Sequence, residues 1–334
     1  MSNEPSSLPG RRLPFERDRS AAILATAEAL LEGVARSGRN AVRWYLPTDR
    51  ALLLGASQRL STLDSAACRS AGVGVYRRAA GGNVVLSDEN MLGVDIVVTP
   101  DSALWSGDVT ESYRWLGASF RDALATMGVP AHLVSIGEAR ASTAVDAADA
   151  ALAKLTCFGG LSPYEVTVGE RKIVGLAQVR RRHGALFQCA VPLHWRPLDL
   201  ARLIALPDDE RLALATALEA RATGLYDLVG VGSASHEDGS TKYLGEVERG
   251  AGISGPVAGA PIEENDVSGD VASTKTIAAF IGALESAFAA RGLLLQDDAW
   301  TPSERDRAAH ALAERYVPLD LPLVLASRTI DHLQ

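Results

Sequence analysis

Apolar residues recur at helical spacing between residues 19 and 36, where Ile23, Leu24, Ala27, Leu30, Leu31 and Val34 share one face and predict an amphipathic helix. The period then shortens to two. AVRWYL (41–46) and ALLLGAS (51–57) read as strands joined by the turn residues Pro47, Thr48 and Asp49. RLSTLDSAACRSAG follows as a short helix ending at Gly72, and residues 73–100 run strand, glycine turn, strand, acidic turn, strand. A helical pattern returns from about Val109 to Met127, then a strand at AHLVSIG (131–137) and a loop or weak helix over 140–154. SPYEVTVGERKIVGLAQVRRRHGALFQCAVPLHW (162–195) is again strand, turn, strand, basic turn, strand.

Helices dominate 198–228 and 272–292, and TPSERDRAAHALAERY opens with Thr301 as N-cap and Glu304 three residues on, a capping box. Hairpins grouped among helices, without regular βα alternation, predict an α+β fold whose mostly antiparallel sheets are flanked by helices. The polar, proline-rich residues 1–18 read as a flexible leader with no apolar signal segment. Residues 231–270, rich in Gly, Ser and Glu, read as a flexible loop inside one domain spanning 19–325.

Composition narrows the classes. A formal net charge of −8 supplies no basic field for nucleic acid. No apolar run approaches the roughly 20 residues that span a bilayer, so no membrane role is expected. Three cysteines, Cys68, Cys157 and Cys189, make no disulfide framework in 334 residues and fit a reducing, cytoplasmic setting. The six histidines are scattered, with no CxxC or HExxH spacing, so no metal site is expected; a GxSxG elbow and a P-loop are also missing.

Three places could carry chemistry. In YRRAAGGNVVLSD, Gly81 and Gly82 allow a tight turn and close approach of a ligand, and Arg77 and Arg78 could hold a phosphate or an acidic partner; a plain hairpin with a basic edge explains them equally well. In GERKIVGLAQ, strict alternation places Lys172 on the face of Val174 and Ile173 on the other, while Gly175 leaves room beside it. A buried lysine needs a partner or a task, unless its head reaches solvent from the strand start. Cys157 is either a small buried hydrophobe or, beside a positive charge, a nucleophilic thiolate. Cys68 and Cys189 fit core positions.

Taken in order, RRAAGGNVVLSDENMLGVDIVV and CFGGLSPYEVTVGERKIVGLAQVRRR resemble the biotin/lipoate protein ligase superfamily, and Cys157 ahead of a Tyr-Glu strand is most similar to its cysteine-dependent octanoyl/lipoyl transferases. AVRWYLPTDRALLLGASQ matches the family's first hairpin, and the resemblance runs over roughly residues 19–318. It implies a biotin/lipoate ligase-like catalytic domain. It implies that Cys157 takes an octanoyl or lipoyl group as a thioester, that Lys172 stabilises the acyl carbonyl or thiolate, and that Arg77, Arg78, Gly81, Gly82, Asn83, Gly175 and Gln178 bind the substrate. The donor would be acyl carrier protein or the glycine-cleavage H protein, the acceptor a lysine on a lipoyl domain of a 2-oxoacid dehydrogenase complex. Arg171, Arg180, Arg181 and Arg182 would dock these acidic partners. No cofactor is required for transfer; ATP and Mg would enter only in an ATP-dependent lipoate–protein ligase, the second reading, with a non-catalytic lipoyl-domain-binding member the third. Three positions depart from the family pattern: Ser87 and Cys189 stand at or near its usual histidines, and Asn83 replaces the third glycine.

Overall fold

The computed structural model describes residues 9–143, 148–230 and 271–321. Twelve strands are formed among them: β1 (Gly10–Arg12), β2 (Glu16–Asp18), β3 (Ala41–Pro47), β4 (Ala51–Leu54), β5 (Gly74–Arg77), β6 (Val85–Ser87), β7 (Met91–Val98), β8 (His132–Leu133), β9 (Val166–Val168), β10 (Arg171–Arg181), β11 (Gly184–Pro192) and β12 (Leu295–Asp297). Nine build one sheet in the order β12-β1-β3-β7-β11-β10-β9-β8, with β2 also paired to β3; β5-β4-β6 form a second. The large sheet is antiparallel from β3 through β8 and parallel only where β1 meets β12 and β3, and where β2 meets β3. The expected α+β class with mostly antiparallel sheets therefore holds.

Register divides one face of the large sheet into three rows crossing β10, β11, β7 and β3. The first is Gly175–Ala190–Gly93–Tyr45, the second Ala177–Gln188–Asp95–Arg43, the third Val179–Leu186–Val97–Ala41. Leu30, Leu31 and Val34 of the helix Ser20–Ser37 cover the third row, as its 3.6-residue apolar stripe predicts. On the opposite face Val94, Ile96 and Phe187 join Phe120 of helix Arg114–Thr126 and Phe280, Leu284 and Phe288 of helix Val271–Ala289 in the largest core. Each phenylalanine so buried contributes roughly 1.5–3 kcal/mol. The small sheet turns Leu52, Leu54, Val75 and Leu86 toward Leu200, Leu214 and Leu218, on helices Pro197–Ala201 and Asp208–Glu219. The first row is left facing a cleft between the two sheets.

Four expectations need correction. β3 and β4 are not a hairpin: they enter different sheets, and β4 pairs with β5 in parallel. Residues 10–18 are not a free leader. β1 and β2 pair with β12 and β3, and Arg11 is buried against Glu304, contacts too distant in sequence to leave a local pattern. AHLVSIG gives only a two-residue strand, because Ser135 and Glu138 bond reciprocally (Ser135 N to Glu138 Oε2 2.7 Å, Glu138 N to Ser135 Oγ 3.2 Å) and start the helix Ile136–Thr143. Finally, β10 does not alternate strictly at its start. Lys172 pairs with Thr167 and Val174 with Val166, and this bulge turns Ile173 and Val174 into the same core. The expected loop 231–270 and residues 1–8 lie outside the described residues.

Candidate active site

The cleft holds two adjoining cavities, and Cys157 lines both. The inner one is apolar and is walled by Leu53, Val85, Met91 and Phe158 over the Gly175–Ala190–Gly93 row. The outer one is polar and opens between the Gly81–Asn83 loop, Gly159–Ser162 and Gln178. Arg78, Leu176 and Ala177 also border both. A half-buried thiol thus stands where an apolar slot meets a polar mouth.

Backbone contacts fix this thiol. Cys157 opens a single 3₁₀ turn, Cys157–Gly159, and its N–H donates to the Val84 carbonyl at 2.9 Å, beside β6. A Cβ built on Gly175 would lie 3.3 Å from the Phe158 ring and 3.6 Å from Cys157 Sγ, so the bare backbone at 175 lets both pack directly over β10. Phe158 is buried next to it against Trp195, ring centroids 5.2 Å apart.

Lys172 meets the turn from below. Its Nζ donates to the Cys157 carbonyl at 2.8 Å and the Gly160 carbonyl at 3.3 Å, and pairs with Glu165 Oε1 at 2.7 Å. Glu165 Oε2 in turn accepts from Ser162 N at 2.8 Å. Both side chains are almost fully buried, 2% and 3% exposed. Burial pushes the Glu165 carboxyl above the usual range, and the charge and hydrogen bond of Lys172 pull it partly back. The pair clamps residues 157–162 at both ends. Just before Glu165, Tyr164 holds a left-handed φ of 66°, rare for a side chain of this size. Its N–H donates to the Val134 carbonyl (2.8 Å) and its hydroxyl to Glu111.

The residues singled out from the sequence separate into groups. Cys157, Lys172, Gly175, Arg78, Gly81, Gly82, Asn83 and Gln178 all border the paired cavities. Gly82 has φ 93° and its carbonyl sits where a Cβ on Gly55 would be, so that turn needs glycine at both places. Arg78 is buried, donates through Nη2 to the Asn83 carbonyl at 3.0 Å, and has no hydrogen-bond partner at Nε. Arg77 instead knits the loop after β4, its Nη1 donating to the Gly55, Ala56 and Gln58 carbonyls at 2.9, 3.3 and 2.7 Å. Gln178 donates to the Val109 carbonyl at 2.8 Å and accepts from Arg180 at 2.9 Å. Arg180 stacks on Trp105 and donates to the Ser106 carbonyl at 2.6 Å, so its head belongs to the 105–107 loop. Arg171 begins β10 and Arg181 ends it, about 33 Å apart at strand rise, so the four arginines do not form one cluster. Cys68 and Cys189 are core residues, as expected.

Two residues of the cleft were not singled out from the sequence: Glu165, which pairs with Lys172, and Tyr45, which lines the inner cavity. The visible signal for the first was a carboxylate at one strand start and a lysine at the next across a tight turn. Among the described residues, no group of three or more His, Cys, Asp or Glu is placed to hold a metal ion, and no helix is long and apolar enough to cross a membrane.

Comparison with known proteins bears on this site. Residues 20–240 match the family model described as lipoyl protein ligase A/B catalytic domain. The chain is 33% identical over 189 residues to the octanoyltransferase LipM of Kyrpidia tusciae (56% of this chain, 66% of that protein), and 30% identical over 191 residues to the LipM of Moorella thermoacetica (57% and 67%). The matches span about two thirds of those relatives' length. Among solved structures, the chain resembles the bipartite lipoate protein ligase of Thermoplasma acidophilum (TM-score 0.63, 17% identity, 92% of this chain and 94% of that one). It also resembles a lipoate-protein ligase A bound with ATP (TM-score 0.60, 18% identity, 92% and 96%). At such identities these structures establish the shared fold.

Proposed function

The chain belongs to the lipoyl protein ligase A/B catalytic domain family, and from that premise we propose that it is an octanoyl-protein acyltransferase working through Cys157. One observation carries this reading: the Cys157 thiol sits at the junction of an apolar slot and a polar mouth. The similarity to two octanoyltransferases supports it.

The steps balance without an added energy source. The Cys157 thiolate attacks the carbonyl of an octanoyl thioester on a carrier protein; the new C–S bond forms and the carrier's thiolate leaves. With the octanoyl chain in the slot, the neutral amine of an acceptor lysine enters through the polar mouth and attacks the Cys157 thioester. An amide forms, the Cys157 thiolate is expelled, and the amine's proton passes to solvent. Exchange between thioesters is close to isoenergetic, and thioester to amide is downhill. Splitting transfer into two steps allows donor and acceptor to use one entrance in turn. The carrier would be acyl carrier protein or the glycine-cleavage H protein, and the acceptor a lipoyl domain of a 2-oxoacid dehydrogenase complex.

Lys172 acts here as a positioning residue. Its ammonium holds the carbonyls of Cys157 and Gly160, and Glu165 holds it, which favours this reading over an ATP-dependent one that needs the ammonium free for a phosphate. Arg78, with an unpaired Nε beside the mouth, is the cation best placed to meet an anionic carrier arm. The test is a transfer assay from octanoyl-carrier to a lipoyl domain without ATP. Wild type transfers and Cys157→Ser loses at least about 10³-fold, the scale of removing a nucleophile. Loading of free octanoate that requires ATP and survives Cys157→Ser would contradict the proposal. Lipoyl-domain binding with no transfer from any donor would leave only a scaffold.

A further inference from the structure

The inner cavity has a measurable length, because its floor is a row of the large sheet. Gly175 on β10, Ala190 on β11 and Gly93 on β7 lie directly opposite one another, and the fourth member of that row is Tyr45 on β3. Directly paired residues project to the same face, so the floor is Gly, Ala, Gly and then an aromatic side chain. The two ends of the slot are marked by what a Cβ would meet at each glycine. At Gly175 it would lie 3.3 Å from the Phe158 ring and 3.6 Å from Cys157 Sγ, which puts both above β10. At Gly93 it would run into the Tyr45 ring and come 2.7 Å from its hydroxyl oxygen, which puts the ring above β7.

The ring is held there. The Arg43 guanidinium lies 4.9 Å from its centroid, and Arg43 is fully buried, paired with Asp95 and Glu16 and donating to the Ile23 carbonyl at 2.8 Å. The guanidinium that faces the ring is thus fixed by a buried ion-pair network. Neighbouring strands are about 4.8 Å apart, so the two steps from β10 to β7 span about 10 Å. An extended chain advances by about 1.25 Å per carbon–carbon bond and its carbon atoms stop about 3.5–4 Å short of the ring, so a chain laid along this row from the sulfur meets the ring before it crosses β7.

We propose that Tyr45 is the specificity-determining residue for acyl chain length: its ring, seated over Gly93, ends the slot two strands from Cys157 and sets the longest straight chain the slot accepts. The inference rests on the transfer reading for its biological use and for the eight-carbon length, and on sheet geometry for the residue that sets the limit. Longer chains meet the ring, while shorter ones leave part of the slot unfilled and lose apolar burial.

Two readouts separate the inference from the reading beneath it. The first is intact-mass labelling of Cys157 by a mixture of acyl carriers bearing chains of six to fourteen carbons. The second is the melting-temperature shift produced by free saturated fatty acids of the same lengths on the Cys157→Ser protein, which needs no transfer. Wild type labels best with eight carbons and falls steeply beyond. Tyr45→Ala raises the ratio of twelve-carbon to eight-carbon labelling at least tenfold and moves the fatty-acid optimum to longer chains, while Tyr45→Phe leaves the optimum at eight. Ala190→Leu, which fills the floor one strand nearer the sulfur, shifts both optima below eight and covers the case in which Tyr45→Ala does not fold. Absence of any adduct together with a Tyr45-dependent fatty-acid limit would sink the transfer reading and keep the gauge. Length profiles unchanged in folded Tyr45→Ala, or in Ala190→Leu if the first does not fold, would overturn the gauge.

Discussion

Lys172 shows what a single residue reveals and conceals in a sequence. An ammonium interrupting an apolar strand stood out as costly, and the structure supplies its compensation in Glu165 and two carbonyl oxygens. The partner was harder to see because the β10 bulge shifts the pairing between Lys172 and Val174, so alternation wrongly separates Ile173 from Val174 and tells nothing about which carboxylate lies across. Cys157 was recognisable only from its surrounding motif; as an isolated thiol it fits a core as well as a site. Removing one member of a buried pair strands the other's charge. Glu165→Gln and Lys172→Met should therefore each destabilise by about 3–5 kcal/mol, with the double variant well short of the sum. Urea unfolding of the three proteins checks this, and additive losses would mean that the two groups act independently. If positioning is the role of the pair, the double variant should retain much of its stability yet transfer poorly, because the carbonyls of Cys157 and Gly160 lose their donor.

At the scale of elements, long amphipathic helices and the hairpin β10–β11 were legible because their patterns are local. The helix Ser20–Ser37 and the capping box at Thr301 form where spacing placed them, and the helix expected from about Val109 starts at Arg114 after the 3₁₀ turn Glu111–Tyr113. Elements defined by distant partners were not. β1 and β2 are three residues each and exist only through β3 and β12, while β4 looks like the return strand of a hairpin and instead starts a second sheet. That departure creates the site, since two sheets parting after β3 leave the cleft between them. On the small-sheet side of that cleft, Gly55, just after β4, packs against the Gly82 carbonyl of the cavity-lining turn. Gly55→Ala puts a methyl group on a backbone oxygen. It should cost about 1–3 kcal/mol and push the 81–83 turn away from the mouth. A chemical denaturation midpoint unchanged from wild type would show that the turn yields freely.

Across the whole molecule, the family match ends at residue 240, yet the chain's C-terminal part completes the core. Phe280, Leu284 and Phe288 pack under the large sheet, and Glu304 receives two hydrogen bonds from the buried Arg11 guanidinium, at 2.6 and 3.0 Å. Burial acts to raise the Glu304 carboxyl, but the Arg11 hydrogen bond, the Thr301 N–H and the Arg11 charge outweigh it and hold it below its ordinary value of 4.5. The folded state thus releases this proton more readily than the unfolded chain. Its stabilisation is fully present above pH 4.5 and is lost as pH falls through the lower folded value. Glu304→Gln should flatten that acid limb of the stability curve and cost about 3 kcal/mol at neutral pH. An acid limb identical to wild type would place the titrating group elsewhere. The proposal that rests on this frame is that Cys157 carries the acyl group between two protein partners. The most direct measurement is a pulse and chase without ATP: octanoyl-carrier is added, the protein's intact mass is read and the adduct mapped, and a lipoyl domain is then supplied. The account predicts one octanoyl mass on Cys157 that disappears as the same mass appears on the lipoyl domain's lysine. Transfer with no adduct on Cys157 at any time, or an adduct that the lipoyl domain does not discharge, would contradict it.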